Sequence, residues 1–458
     1  MSPQELRAAL SLSSIFGLRM LGMFVILPVF AIYAESLPGG DSLTLVGIAL
    51  GIYGLTQAIL QIPFGWWSDR YGRKPVIYIG LAIFAAGSFI AALGVNIWVV
   101  ILGRLLQGAG AIAAPVMAMT VDLTRDEHRP KAMAMIGSTI GVTFALSLVL
   151  SPWLNRMIGV PGIFAMTGVL VLVAMWVVYA LVPDAPAPPR RAEARGLEQF
   201  ATVLRDLQLA RLYYGVFALH AVLMALFIAV PLNLRAAGLP VNDHWQVYLP
   251  VMTGSFVLML PAILGARHPG RMKTVFLGAI ALCLLAQLAM PWLTGGRWMI
   301  ALFLLGFFTA FNVLEAQLPT LISKIAPGGS RGLAIGVFTS LQFLGAFVGA
   351  AAGGYLYGKW ATSGVVILDA VLLVMWLVVA AGTRVPAARA TCVYALPALN
   401  GARAELLLAR LRALPGVHEA RVASGERRAY LTVDRDGFDE QNVLNELSAS
   451  SVQRSAEA

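Results

Sequence analysis

Long apolar runs separated by short polar breaks set the rhythm of this chain over most of its length. A helix needs about 20 apolar residues to cross the hydrocarbon core of a bilayer. Runs at about 10–34, 44–67, 76–95, 97–121, 131–155 and 161–182 therefore predict six membrane spans. Six more are predicted at about 208–235, 243–266, 273–294, 297–323, 331–357 and 361–383. Between the two sets, residues 184–207 hold Pro186, Pro188, Pro189, Arg190, Arg191 and Arg195, which predicts a linker. The expected domains are a first six-helix bundle at 1–183, a second at 208–385 and a separate domain at 390–452.

The last of these has its own pattern. Residues 391–396 read as a strand, and Leu406, Leu407, Leu411 and Leu414 recur at helical spacing. Residues 417–423 and 428–433 alternate around the turn Ser424-Gly425-Glu426, and 439–447 read as a helix capped by Asp439. The order β-α-β-β-α predicts a small ferredoxin-like α+β domain. At about 60 residues it is marginal on its own.

Composition narrows the class. Charged residues make up 12% of the 458 positions and hydrophobic residues 59%. A soluble domain carries about 25% charged residues. The chain is a polytopic α-helical membrane protein. Its net charge of +10 does not point to nucleic acid, because the cations follow topology. Loops after the even-numbered spans hold about sixteen Lys and Arg, and the others hold Arg156, Arg235, Arg297 and Lys359. Both termini are therefore expected on the cytoplasmic side. With Glu5 and Arg7 ahead of a long apolar run, the N-terminus reads as a retained first span and not as a cleaved signal. Cys283 and Cys392 offer neither a disulfide framework nor metal spacing. No nucleophile–base pair or phosphate loop suggests an enzyme.

Two loops repeat. Gly72-Arg73-Lys74-Pro75-Val76 follows span 2, and Gly270-Arg271-Met272-Lys273-Thr274 follows span 8. Each half is thus built on one plan, as in two-bundle rocking transporters. Where the first copy has Asp69, the second has Arg267.

The first copy carries the most specific motif, Gly65-Trp66-Trp67-Ser68-Asp69-Arg70-Tyr71-Gly72-Arg73-Lys74. It resembles the signature loop between helices 2 and 3 of the major facilitator superfamily, and the resemblance implies that family's fold of twelve helices. It further implies that Asp69 faces the N-terminus of span 11, near Ser330-Arg331-Gly332, when the cavity opens outward. It pairs Arg73 with an acid at the end of span 4, where Asp122 stands. Gly65 is expected to permit close helix contact and Gly72 a tight turn. Arg104-Leu105-Leu106-Gln107-Gly108 resembles the family's Arg-x-x-Gln-Gly element, with Arg104 a candidate for coupling. Span 5 keeps Gly137, Gly141 and Pro152 of an antiporter motif, with Ser151 and Trp153 beside the proline, so the match is partial.

Other ionisable residues inside spans are Arg19, His220, Glu315 and Asp369. Glu315 is the acid best placed for proton work, Asn312 lies on its helix face, and Arg19 is its expected counter-charge. His220 reads as a hydrogen-bonded interior histidine, Asp369 as a pairing group, and Glu35 and Asp41 as solvated loop acids. Aromatic residues such as Phe24, Phe144 and Phe227 read as packing.

Gly17-Leu18-Arg19-Met20-Leu21-Gly22-Met23-Phe24, the signature loop and the appended domain together resemble family members classed with drug/proton antiporters. This implies a proton-driven exporter of small molecules in the bacterial inner membrane, working as a monomer amid lipid, without cofactor or metal and without nucleic acid. Proton symport for uptake and a sensor signalling through the C-terminal domain are the alternatives.

Overall fold

The computed structural model describes residues 1–452 except 126, 185–195, 267, 269, 293–294, 327–330, 385–388, 396–400, 423–427 and 435–438. The Pro- and Arg-rich part of the linker, Arg267, Ser330 and the turn 424–426 lie outside the described residues.

Among the described residues, ten helices are long and apolar enough to cross a membrane. Two of them, Lys131–Leu181 and Gly332–Ala381, have 51 and 50 residues, about twice what one crossing needs. Each is broken in the middle. Gly159 sits at φ 65°, ψ 173°, and Trp360 and Ala361 leave helical geometry. The ten helices therefore make twelve crossings, numbered here as spans 1 to 12 in chain order. Twelve crossings are what the resemblance of the signature loop implies.

Two predicted spans are not continuous. Span 1 runs as Pro3–Phe24 and Leu27–Glu35, with the break just ahead of Pro28, whose ring nitrogen has no hydrogen to donate. Span 4 runs as Ile97–Ala109 and Ala113–Asp122. Its break is at Gly110, where the chain runs so close to span 3, Arg73–Ala92, that a Cβ would run into the carbonyl of Gly80. The linker is also not irregular throughout. Gly196–Arg205 is an amphipathic helix that precedes span 7, Leu207–Ala236.

The repeated loops share a backbone feature. Gly72 has φ 95° and Gly270 φ 73°, and each sits directly before the helix that follows, Arg73–Ala92 and Arg271–Ala289. A residue with a Cβ is strained there, which is why glycine stands at both.

The chain divides into two compact units, Met1–Leu264 with Val275–Thr383, and Gly265–Thr274 with Arg384–Ala458. In the second, strands β1 (Arg389–Ala395), β2 (Val417–Val422) and β3 (Arg428–Asp434) form an antiparallel sheet in the order β1-β3-β2. Helices Gly401–Ala413 and Glu440–Val452 complete the expected β-α-β-β-α order. Leu407, Leu411, Ala420, Leu431, Val433 and Val443 make its small core. Tyr394 donates to Glu440 at 3.2 Å, and burial, together with the charges of Cys392 and Glu440, pushes its pKa above the usual phenol value.

Candidate functional site

The signature loop is built around one buried cation. Positive φ at Gly72 turns the chain so that Arg73, first residue of span 3, points back toward the end of span 2, Leu43–Tyr71. Its side chain is 9% exposed. Nε donates to Asp122 Oδ2 at 2.9 Å, and Nη1 lies 2.5 Å from Asp69 Oδ1 and 2.8 Å from Ser68 Oγ. Ser68 in turn donates to the Gly65 carbonyl at 2.7 Å. One guanidinium thus joins the ends of spans 2 and 4. Lys74 pairs with Asp184, where the linker begins, at 2.7 Å. Arg70 lies over the rings of Trp66 and Tyr71, 5.4 and 5.7 Å from their centres. Gly65 is not crowded: an added Cβ would meet Ala114 at 3.4 Å, ordinary contact.

Asp69 is 63% exposed, with Arg73 as its ion-pair partner, and makes no hydrogen bond to span 11 among the described residues. That fits the way the two halves meet. On the face away from the signature loop they are tightly closed. Gly47, Gly51 and Gly54 of span 2 lie against the span 11 backbone at Ala350, Phe347 and Phe343. Asn155 donates to Asn242 at 2.8 Å, and Arg235 pairs with Glu35 at 2.7 Å. Midway, Phe144 of span 5 packs against Phe24 of span 1, Phe227 of span 7, and Phe308 and Phe311 of span 10, Arg297–Ile325, with centres 5.1–6.4 Å apart. On the signature face, by contrast, Gly137 and Gly141 of span 5 and Gly332 and Gly336 of span 11 have nothing within 4 Å of where a Cβ would stand. These positions face open space, and Asp69 is paired with Arg73 and not with a described residue of span 11.

Glu35 is therefore not a solvated loop acid. It holds the two halves together through Arg235. Sequence spacing gives no sign of a pair so far apart in the chain.

The interior of the first half is organised by two buried arginines. Arg19 is fully buried and donates to Gln57 Oε1 at 2.6 Å and to the Gly110 carbonyl at 3.0 Å. The break in span 4 frees that carbonyl. The guanidinium also lies 5.8 Å from the Tyr53 ring and 5.3 Å from Phe84. Arg104, 1% exposed, donates to the Ala49 and Leu50 carbonyls of span 2 at 3.4 and 2.9 Å and to Gln107 at 3.2 Å. Gln107 continues the chain to Ser88 of span 3 at 2.9 Å. Both cations are held by carbonyls, amides and rings. The expected pairing of Arg19 with Glu315 is not made, because that guanidinium is committed inside the first half.

Glu315 instead meets His220. His220 Nε2 lies 3.7 Å from Glu315 Oε2 and 2.8 Å from Gln342 Nε2, and Nδ1 lies 3.1 Å from the Val216 carbonyl. A neutral ring that donates from Nδ1 leaves Nε2 to accept from Gln342, and a second proton on Nε2 would face the carboxylate. His220 is 8% exposed, whereas the Glu315 side chain is 39% exposed. Spans 7, 10 and 11 each give one residue to this cluster. Asn312, one helical turn away, donates to Ser255 Oγ of span 8, Trp245–Ala266, at 3.1 Å. The sequence singled out His220 and Glu315 separately and missed their meeting.

Asp369 is also displaced from its expected role. It is fully buried, and neither carboxyl oxygen has a hydrogen-bond partner among the described residues.

Comparison with known proteins follows the same lines. Residues 12–318 match the family model described as Major Facilitator Superfamily. The chain is 42% identical to the inner membrane transport protein YajR of Escherichia coli (strain K12), covering 95% of each sequence. It is 25% identical to the class E tetracycline resistance protein of Escherichia coli, over 75% of this chain and 86% of that one. Among solved structures, the D-xylose–proton symporter superposes with a TM-score of 0.63 at 15% identity, over 82% of this chain and 98% of that one. The similar proteins and folds are transporters and not enzymes.

Proposed function

The chain belongs to the major facilitator superfamily, and we propose that it is a proton-coupled transporter that exports small molecules by alternating access. Its place is the bacterial inner membrane, with both termini cytoplasmic, as the Lys and Arg bias of the loops supports. The signature face is then the cytoplasmic one, and the described state is open inward. The observation that carries proton coupling is the partly exposed acid of span 10, Glu315, held 3.7 Å from a histidine. A proton on this pair changes its charge inside the membrane, where charge is costly. Its occupancy can therefore favour one arrangement of the bundles over the other, provided the pair binds protons with different affinity in each. Resemblance to a tetracycline resistance protein supports export over uptake.

Purified protein in liposomes with a lumenal pH dye tests this reading against a panel of lipophilic cations, sugars and amino acids. Proton movement triggered by at least one compound is expected. Detectable binding with no proton movement across the panel would exclude coupled transport.

Asp69 belongs to the same cycle. When the inner face closes, its carboxylate meets the N-terminus of span 11, an interaction worth about 0.3–2 kcal/mol. In the open state its exposed pair with Arg73 contributes less than about 1 kcal/mol. Asp69→Asn is therefore expected to shift the balance toward the inward-open state by up to about thirtyfold, less whatever the lost Arg73 pair costs the open state. Insertion in the membrane stays normal and transport slows. Spin-label distances across the inner face measure the shift, and an unchanged distribution with full transport would remove the latch.

A further inference from the structure

The two ring nitrogens of His220 meet partners of opposite kind. Nδ1 lies 3.1 Å from the Val216 carbonyl, which can only accept, so in the neutral ring Nδ1 carries the hydrogen. Nε2 then holds a lone pair, and Gln342 Nε2 donates to it at 2.8 Å. Glu315 Oε2 lies 3.7 Å from the same atom. Span 7 thus faces the ring with a carbonyl, span 11 with an amide, and span 10 with a carboxylate and the Phe311 ring, 5.9 Å between centres. Among the described residues, Glu315 is the charged group in contact with His220.

A proton that comes to the Glu315–His220 pair needs that lone pair. If it stays on Nε2, the new N–H donates to the carboxylate. If it stays on the carboxyl group, the O–H donates to Nε2. In both cases the pair gains one proton, no other covalent bond changes, and the Gln342 amide loses its acceptor. An amide can turn its oxygen toward a protonated Nε2, but the carboxylate is the stronger partner. A charge-assisted hydrogen bond is roughly twice as strong as a neutral one.

Gln342 also stands where the two halves begin to part. The next residue, Phe343, packs against Tyr53 of span 2 with ring centres 6.1 Å apart, and a Cβ on Gly54 would lie 2.5 Å from the Phe343 carbonyl oxygen. Nearer the signature face, at Gly336, an added Cβ would meet nothing within 4 Å. Toward its own half, span 11 is packed on span 7, where a Cβ on Gly345 or Gly349 would run into the Phe217 or Ala221 carbonyl. Span 11 therefore runs between span 7 of its own half and span 2 of the other. We propose, resting on the proton-coupling reading of Glu315 and His220, that Gln342 is a positioning residue that competes with the coupling proton for His220 Nε2. Protonation of the pair then releases span 11 from His220 beside its contact with span 2.

The test uses full-length protein in nanodiscs, with histidine labelled with heavy nitrogen, and follows the Nε2 resonance of His220 as pH is lowered. That resonance is assigned by its absence from His220→Gln. Gln342→Met keeps the length of the side chain and removes its donor. It is expected to move the response of the resonance to higher pH, by about two- to tenfold in proton concentration, since the deprotonated state has lost one hydrogen bond. A residue that only packed would leave this midpoint in place. Spin-label distances across the inner face should follow pH in the parent protein and respond less in Gln342→Met. Gln342→Asn, one methylene shorter, should act in the same way and decides where Gln342→Met fails to insert. A midpoint unchanged in the variant, or distances that still follow pH as in the parent, would overturn the role of Gln342 alone. A His220 resonance that ignores pH in the parent would instead overturn the proton-coupling reading of the pair, and this role with it.

Discussion

Glu315→Gln is expected to lower substrate-driven proton movement in liposomes by at least about tenfold, within the range of a typical coupling energy. The substitution keeps the shape of the side chain and removes only its capacity to gain and lose a proton. It leaves the Asn312–Ser255 hydrogen bond in place, so loss of structure is not the expected cause. Substrate binding should persist, because the carboxamide keeps the size and polarity of the side chain. His220→Gln is expected to have a smaller effect, since the acid that carries the proton is retained. The competing carrier is Asp369, fully buried with neither oxygen hydrogen-bonded among the described residues. Asp369→Asn therefore belongs in the same experiment. Normal proton movement in Glu315→Gln together with loss in Asp369→Asn would move the proton from the span 10 pair to span 12.

What could be read in advance was whatever lies close together in sequence. Gly72 and Gly270 announced their turns because a turn is local, and both have positive φ. The twelve crossings followed from length and hydropathy, and the strands and helices of the small domain from period. The breaks in spans 1 and 4 escaped notice because a hydropathy run does not register a missing hydrogen bond. At Gly110 the glycine itself answers to the nearby carbonyl of Gly80 in another helix. Arg19 was assigned an acid as its partner because charge is the visible label in a sequence. The structure gives it Gln57 and a backbone carbonyl, and a carbonyl has no label. The His220–Glu315 meeting and the Glu35–Arg235 pair depend on how helices are arranged around the interface. Spacing on one helix gives faces, but it does not say which faces of different helices meet.

Gly47→Leu is expected to hold the face opposite the signature loop open and to stop transport. Three features close that face, and their magnitudes differ. The Glu35–Arg235 pair is partly exposed and contributes up to about 1 kcal/mol. Arg235→Gln should therefore change the balance of states by no more than about fivefold. The Asn155–Asn242 hydrogen bond is comparable, about 1 kcal/mol. The glycine stripe acts differently, because at Gly47 a Cβ would overlap the Ala350 carbonyl of span 11. A backbone carbonyl cannot swing aside as the end of a side chain can. Overpacking costs about 1–3 kcal/mol where some relaxation is possible. The closed arrangement loses that amount while the open one, with the helices apart, loses little. The ratio of states should shift by about five- to 150-fold. Spin labels at Arg156→Cys and Asp243→Cys, with Cys283→Ala and Cys392→Ser, report the separation beside the Asn155–Asn242 bond. A longer distance with lost transport is expected for Gly47→Leu, and only a minor change for Arg235→Gln. If Gly47→Leu keeps the short distance and transports normally, close helix contact is not what shuts this face, and the ion pair and the asparagine bond must do so alone.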